Sequence, residues 1–299
     1  MKKLFIPGFL FLALLFTSCQ PEPATVTLAF LGDLMLGRGT DPTPDSLAIL
    51  APDLSSSDLV LANLESPLTT NPPQQSSAYN LCSSSTRANL LAGWGFDLLS
   101  IANNHRYDCG PEGPADTRSA LQAVGITPIG PGMDPVLRVV NGLRVVFLAL
   151  DDISSKLDES SALQEIRSER ASGALVIVSI HWGLEYQGGP SDRQISLANQ
   201  FVNAGAVLVW GHHPHVLQPA EWKETAQGKS LVLYSLGNTL FDQGGLSDTR
   251  TSALVVVSLD AQGVTKARAV PFCIDVSSSS LIHPDAATAS KIMGQIRLP

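Results

Sequence analysis

The sequence predicts an α/β fold with a mixed sheet system, and three observations predict it. Short apolar runs alternate with helical segments, glycines separate helix from strand, and two pairs of apolar runs flank hairpin turns.

The elements follow in chain order. Val26–Leu31 is an apolar run, a strand, and Gly32-Asp33 follows at once. Leu59–Ala62 is a second strand, leading into Asn63-Leu64-Glu65. Asn71–Ser85, rich in Pro, Gln and Ser, reads as a long loop near the site. Thr86–Ala92 reads as a helix with Thr86 as its N-cap, ended by Gly93. Phe96–Ala102 is the next strand and delivers Asn103-Asn104-His105. Pro111–Val124 carries proline near a first helical turn and Gly125 just past its end. Val136–Val140 and Leu143–Leu150 flank Asn141-Gly142, a strong hairpin signal. Asp151–Ala171 is polar and reads as a loop with a short helix.

Val176–Ile180 is a strand that ends in His181-Trp182-Gly183. Ser191 caps a helix to Ala204, whose Ile195, Ala198, Phe201 and Val202 form an apolar stripe. Gly205 closes it, and the strand Ala206–Trp210 delivers Gly211-His212-His213-Pro214-His215. Thr251–Leu259 and Val264–Phe272 flank a second hairpin turn, Asp260–Gly263. Residues 25–275 therefore read as one domain, and 276–299 as a tail with a short helix around Asp285–Ile296.

The start of the chain reads as an export signal. Lys2 and Lys3 precede an apolar stretch, Leu4–Phe16, that is too short to span a bilayer comfortably. Thr17-Ser18-Cys19 follows, so residues 1–19 fit a lipoprotein signal in which Cys19 becomes the lipidated first residue. Residues 20–24, with two prolines, would be a stiff tether. This places the protein outside the cytoplasm, held at the membrane; the competing reading is a cleaved secretory signal. Cys82, Cys109 and Cys273 show no C-x-x-C spacing. They fit either a Cys82–Cys109 disulfide with Cys273 left over, or three thiols. Charged residues make up 15% of the chain and the net charge is -8, with no basic block, so nucleic acid finds no electrostatic footprint.

Ligands of α/β sheets bind beyond the carboxyl ends of the strands. Clusters far apart in sequence can thus converge there. His213 and His215 are two apart and face one way in an extended loop, with His212 facing the other. His181, alone, would more often be structural; it gains meaning from that company. Asp33 and Glu65 are carboxylate candidates, although a turn-capping aspartate is the rival role for Asp33. Asn104 offers an amide oxygen, while His105 can act as a general acid oriented by Asp108. Arg38, Asn63 and Asn238 are candidates for holding substrate, with support of a ligand as the alternative role for Asn238. His283 reads as plain surface. Together these residues allow one or two divalent ions, of which Mn, Fe and Zn suit mixed imidazole and carboxylate donors. Such ions bring the pKa of a bound water from 15.7 to about 7, the chemistry of phosphoester or amide hydrolysis.

Six stretches, in order, resemble the CapA-type poly-γ-glutamate (capsule) synthesis family, related to calcineurin-like metallophosphoesterases. They are Gly32–Arg38, Ala62–Glu65, Ala102–His105 with Asp108 and Gly110, His181–Gly183 with Glu185-Tyr186, Gly211–Gln218, and Tyr234–Asn238 with Phe241-Asp242. The resemblance implies a four-layer αββα sandwich: two facing mixed sheets with helices outside. It also implies Asp33, Glu65, Asn104, His181, His213 and His215 as metal ligands and His105 as the catalytic acid. Met35 stands where the wider phosphoesterases carry the His of Asp-x-His, and Glu65 stands where they carry a bridging Asp. Thr239 replaces a usual aromatic, and Asp151–Ala171 is short where the family often has a longer insert.

Two functions are therefore in view. One is a lipid-anchored, metal-dependent hydrolase or transferase acting on poly-γ-glutamate or another anionic cell-surface polymer. The other is a non-catalytic accessory lipoprotein that binds polymer or the subunits of a membrane synthase. At -8 the protein repels a polyanion at long range. Arg38, Arg106, Lys223 or Arg250 would have to offset that.

Overall fold

The computed structural model describes residues 24–72, 79–225 and 228–298. The signal-type start, Cys19 and the tether up to Pro23 lie outside the described residues.

The first half of the chain runs β1 (Val26–Leu34), α1 (Ala51–Ser55), β2 (Leu59–Leu64), β3 (Leu68–Thr69), β4 (Ser83–Ser84), α2 (Ala88–Gly93), β5 (Leu98–Ser100), α3 (Gly113–Ala123), β6 (Thr127–Ile129), β7 (Val136–Val140) and β8 (Leu143–Asp151). The second half adds α4 (Glu159–Ala171), β9 (Leu175–His181), α5 (Asp192–Ala204), β10 (Ala206–His212), β11 (Ala220–Thr225), β12 (Gly228–Leu233), β13 (Asn238–Leu240), β14 (Thr251–Asp260), β15 (Gly263–Asp275), β16 (Ser280–Ile282) and α6 (Ala286–Ile296).

Among the described residues, one sheet has the order β16-β15-β14-β1-β2-β5-β6, with β13 added beside the end of β1. A second sheet has the order β11-β12-β10-β9-β8-β7. Both mix parallel and antiparallel pairs. Alternate residues of each strand face opposite ways, and that alternation sorts the apolar side chains into layers. Leu28 and Phe30 meet Phe147, Ile177, Leu208 and Trp210 in a core between the sheets. Ala29, Leu31, Val60 and Leu99 pack outward with Leu54, Leu91 and Leu121 of α1, α2 and α3. Val146, Val176 and Val178 pack outward with Ile166 of α4 and Phe201 of α5. The result is the four-layer αββα sandwich. Each fully buried Leu, Ile, Val or Phe in these layers contributes about 1.5–3 kcal/mol of transfer free energy. No helix among the described residues is long and apolar enough to cross a membrane.

Local chemistry explains the element ends. Ser191 and Gln194 form a reciprocal capping box at the start of α5, and Gly205 ends it in the left-handed region with φ +119°. Asn141 and Gly142 both take positive φ, as a tight turn between β7 and β8 requires. Cys82 and Cys109 form a disulfide, and Cys273 is free.

Several expectations need correction. Ser84, not Thr86, provides the cap: its side chain accepts the Thr86 N–H at the head of a 3-10 turn that leads into α2. Ile195 lies on the outer face of α5; the buried stripe is Leu197, Ala198, Phe201 and Val202. The polar segment Asp151–Ala171 holds a 13-residue helix, α4, capped by Asp158 accepting the Ser161 N–H. The tail is part of the domain. β16 forms an edge of the larger sheet, and Ile292 and Ile296 of α6 enter the core between the sheets. Residues 79–84 of the expected long loop are anchored through β4 to β3, while 73–78 lie outside the described residues.

Candidate metal centre

The larger sheet presents its donors at the ends of β1, β2 and β5. Gly32 makes this possible, because a Cβ there would overlap the Gly237 carbonyl oxygen. Without one, β13 can lie against β1, and Asp33 N donates to Gly237 O at 2.9 Å. Asp33 is then flanked by Asn63 on β2 and Asn238 on β13. The smaller sheet presents Asp151, His181 and His212 in one register row across β8, β9 and β10. Gly211, just before His212, leaves room for the Trp182 indole and the Tyr234 carbonyl, both of which a Cβ would overlap. The two sheets are tied directly at this end, where Trp210 Nε1 donates to Leu31 O at 3.0 Å.

The strand ends meet around Glu65. Its side chain is wholly buried, and neither carboxylate oxygen has a hydrogen-bond partner. Oε1 lies 3.8 Å from Nε2 of each of His105, His181 and His215. His181 Nε2 is 2.8 Å from Asn104 Oδ1 and 3.1 Å from His213 Nδ1. On the other side, His215 Nδ1 is 3.4 Å from Asp33 Oδ2. Among the donor groups that result, two share Glu65: Glu65 with His181 and His213, and Asp33 with Glu65 and His215. A buried carboxylate without a partner is costly, and a cation among these donors removes that cost. The donor set thus fits a divalent ion, with imidazole nitrogens and hard oxygens converging.

Electrostatics follow from burial and from this crowding. His212 and His213 are each pulled down to about 4, chiefly by burial. His181 falls well below its usual value through burial and the neighbouring imidazoles. These three rings stay neutral, the state in which imidazole nitrogen can ligate. Glu65 is pushed up to about 8, by burial first and then by the Asp33 charge. Burial draws His215 down, but Glu65 and Asp33 outweigh it and raise it to about 9. Asp33 is lowered: burial opposes, and the hydrogen bond and charge of His215 prevail.

Comparison with known proteins identifies the family. Residues 27–243 match the family described as "Bacterial capsule synthesis protein PGA_cap". The chain belongs to the PGA_cap family. It is 29% identical to the "PGA biosynthesis protein CapA" of Bacillus subtilis over 91% of this chain and 77% of that protein. It is 31% identical to the "Capsule biosynthesis protein CapA" of Bacillus anthracis, over 86% of this chain and 69% of that one. A hypothetical protein from Thermus thermophilus shares the fold, with a TM-score of 0.56 at 17% identity over 82% of this chain and 98% of that one.

In this PGA_cap chain the histidine loop is built differently from the extended loop expected. His213 and His215 have φ of +102° and +59°, so left-handed backbone on either side of Pro214 brings their rings to 6.0 Å. His212 stands behind His181, with Nδ1 2.8 Å from His181 Nδ1 and Nε2 2.8 Å from Ser179 Oγ. Both its nitrogens are engaged, so it orients His181. His105 Nδ1 is 2.8 Å from Asp108 Oδ2, leaving Nε2 toward Glu65.

Asn63, expected at the substrate, and Asn238, expected at the substrate or in support of a ligand, are both fully enclosed. Asn63 Nδ2 donates to Asp33 Oδ1 at 2.7 Å, and its own Oδ1 accepts from Asn103. Asn238 Oδ1 is 2.9 Å from His215 Nδ1, and its amide nitrogen donates to Thr249 O and Gln243 Oε1. Their geometry is that of residues aiming Asp33 and His215. Arg38 stands at the rim in a left-handed conformation, φ +52°, with Nε donating to Asp242 Oδ2 at 2.7 Å and its guanidinium 5.6 Å from the Phe241 ring. Arg106 pairs with Asp151 and Lys223 with Glu221, so three of the four cations expected to meet a polyanion already face a carboxylate. Met35 is buried against Leu81 and Phe241 and takes no part in the donor set.

Sequence reasoning missed the orienting roles of Asn103 and His212, and it assigned nothing to Glu185. Its ligand oxygen lies with His213 and His215 nitrogens in a third group of donors. The signal for Glu185 was present in the His181–Tyr186 stretch.

Proposed function

We propose that this protein is an exported, lipid-anchored, metal-dependent hydrolase or transferase that acts on poly-γ-glutamate or a similar anionic polymer during capsule synthesis. The observation that carries the reading is Glu65, a buried carboxylate with no hydrogen-bond partner, equidistant from three imidazoles.

In this reading Asp33, Glu65, Asn104, His181, His213 and His215 hold one or two divalent ions of Mn, Fe or Zn. Such an ion supplies Lewis acidity and activates water near neutral pH. The residues do the rest. Asn63 and Asn238 aim Asp33 and His215; His212 holds His181. His105, fixed through Nδ1 by Asp108, directs its Nε2 into the centre and donates the proton that the leaving group needs. An open cleft of about 520 Å³ is lined by Arg106 and by Asp151, the β8 register neighbour of His181, and gives room for a chain-like substrate. Its wall includes Ser155, Leu157 and Glu165, from the segment that is short in this chain. With Arg38, Arg106 and Lys223 already paired, the bound ion itself offers the positive charge that a polyanion would meet. The names of the Bacillus relatives support the polymer. The signal-like start and Cys19 support export and anchoring, and the Cys82–Cys109 disulfide supports an oxidising compartment.

The test is metal content by plasma mass spectrometry of the purified protein, beside His181→Ala and His213→Ala. It is followed by poly-γ-glutamate chain length after incubation with wild type and His105→Ala. Bound metal lost in both ligand variants, with polymer shortening or transfer lost in His105→Ala, supports the reading. A metal-free wild type, even after reconstitution, overturns it. The accessory role is the second reading, favoured by Met35 at the position of a phosphoesterase ligand. Full polymer assembly in cells carrying a metal-site variant would establish it.

A further inference from the structure

The loop after β9 crosses the open side of the donor cluster, and its backbone is held there. Gly183 has φ +86° and Tyr186 φ +63°, so two left-handed residues bracket Leu184-Glu185. A left-handed tyrosine is uncommon and strained, and it persists only where its surroundings enforce it. Here they do. Tyr186 N donates to Pro214 O at 2.8 Å, the residue between His213 and His215. Gln243 Nε2 reaches Tyr186 Oη at 3.2 Å. Gln218 Nε2 donates to Gln187 O and Gly189 O, and its Oε1 accepts from Gln194 at the head of α5. Ahead of Glu185, Trp182 N donates to His212 O at 3.1 Å, so the loop is pinned on both sides of Glu185, and it is pinned to the histidine loop itself.

The consequence is a defined place for an exposed carboxylate. A Glu185 oxygen lies within 4.8 Å of ring nitrogens of both His213 and His215. Those rings also belong to the donor groups of Glu65, which is buried and unpartnered. Glu65 approaches from the core, and Glu185 from solvent.

We infer that Glu185 is a further metal donor, closing the centre from its solvent side. This rests on the metal-centre reading above and extends it. A carboxylate on an exposed loop suits the role of a donor that yields to substrate, since it can leave the ion without unmaking the core.

The experiment is a calorimetric titration of the chelator-stripped full chain with Mn2+ alone, for wild type, Glu185→Gln, Glu185→Asp and His213→Ala. We expect Glu185→Gln to weaken Mn2+ binding at least tenfold or remove one equivalent, and Glu185→Asp to retain part of the affinity. The metal-free melting temperature of Glu185→Gln should match wild type, because the side chain is exposed. Wild-type affinity and stoichiometry in Glu185→Gln would overturn this inference alone, leaving the metal centre intact. Absence of Mn2+ binding in wild type, indistinguishable from His213→Ala, would overturn the metal-centre reading itself.

Discussion

Asp108 Oδ2 lies 2.8 Å from His105 Nδ1 and also accepts the Leu81 N–H at 2.7 Å. One carboxylate oxygen thus fixes the imidazole and ties it to the opposite loop. Burial would lower the His105 pKa, but the Asp108 hydrogen bond, with the charge of Glu65, raises it above the usual value. The protonated, proton-donating form is present below that raised pKa and is lost as pH rises through it. Asp108→Asn should cut turnover roughly 10–100-fold, as loss of an orienting carboxylate does elsewhere. It should also move the alkaline limb of activity to lower pH. Rate profiles over pH for the two proteins check both.

Metal binding should release protons. Glu65, raised to about 8, and His215, raised to about 9, hold protons at neutral pH that a cation must displace. Mn2+ affinity should therefore climb from pH 6 to pH 8, by about tenfold per unit for each proton displaced. Calorimetry in two buffers of different ionisation enthalpy counts the protons.

Replacing Glu65 should act in opposite directions on the two states. A carboxyl whose folded pKa is raised destabilises the fold at pH values above its unfolded pKa. Glu65→Gln removes that penalty, so the metal-free protein should gain about 1–3 kcal/mol at pH 8. The same variant should lose stabilisation by Mn2+. Scanning calorimetry with chelator and then with Mn2+ reads both signs; a less stable metal-free variant would contradict the electrostatic account.

Breaking the disulfide should loosen the same corner. Cys82 follows Leu81 and Cys109 follows Asp108, so the bond braces the contact that holds His105. The cross-link spans a sequence separation of 27. Loop-closure entropy gives it about 3.5 kcal/mol. Cys82→Ala with Cys109→Ala should lower the urea midpoint accordingly, and reductant should do the same to wild type only.

Legibility in the sequence followed the range of the forces involved. Strands β1, β2, β9 and β10 announced themselves as apolar runs because both their faces are buried. Asn141-Gly142 announced its turn because few residues tolerate positive φ. α4 was underestimated because its polar face dominates: only Ala162 and Ile166 are buried. The convergence of Asp33, Glu65, His181 and His213 was readable from strand ends. The left-handed turns at His213 and His215 were not, since tertiary contacts, not local preference, impose them. Asn63 looked like a substrate contact, and Asn238 like a substrate contact or a support of a ligand, because sequence gives the residue type but not which side of the ligand it stands on.

Trp210 and Leu31 join two sheets whose edges each carry half of a donor set. Asp33, Glu65 and Asn104 come from one layer, and His181, His213 and His215 from the other. Neither layer folded alone offers either of the two groups to which Glu65 belongs. Assembly of those groups is then a late event, open only once the halves have closed on each other. In the metal-centre reading proposed above, the ion would be drawn from the pool that surrounds the chain where it finishes folding, and a chain that folds in a different compartment would meet a different choice of metals.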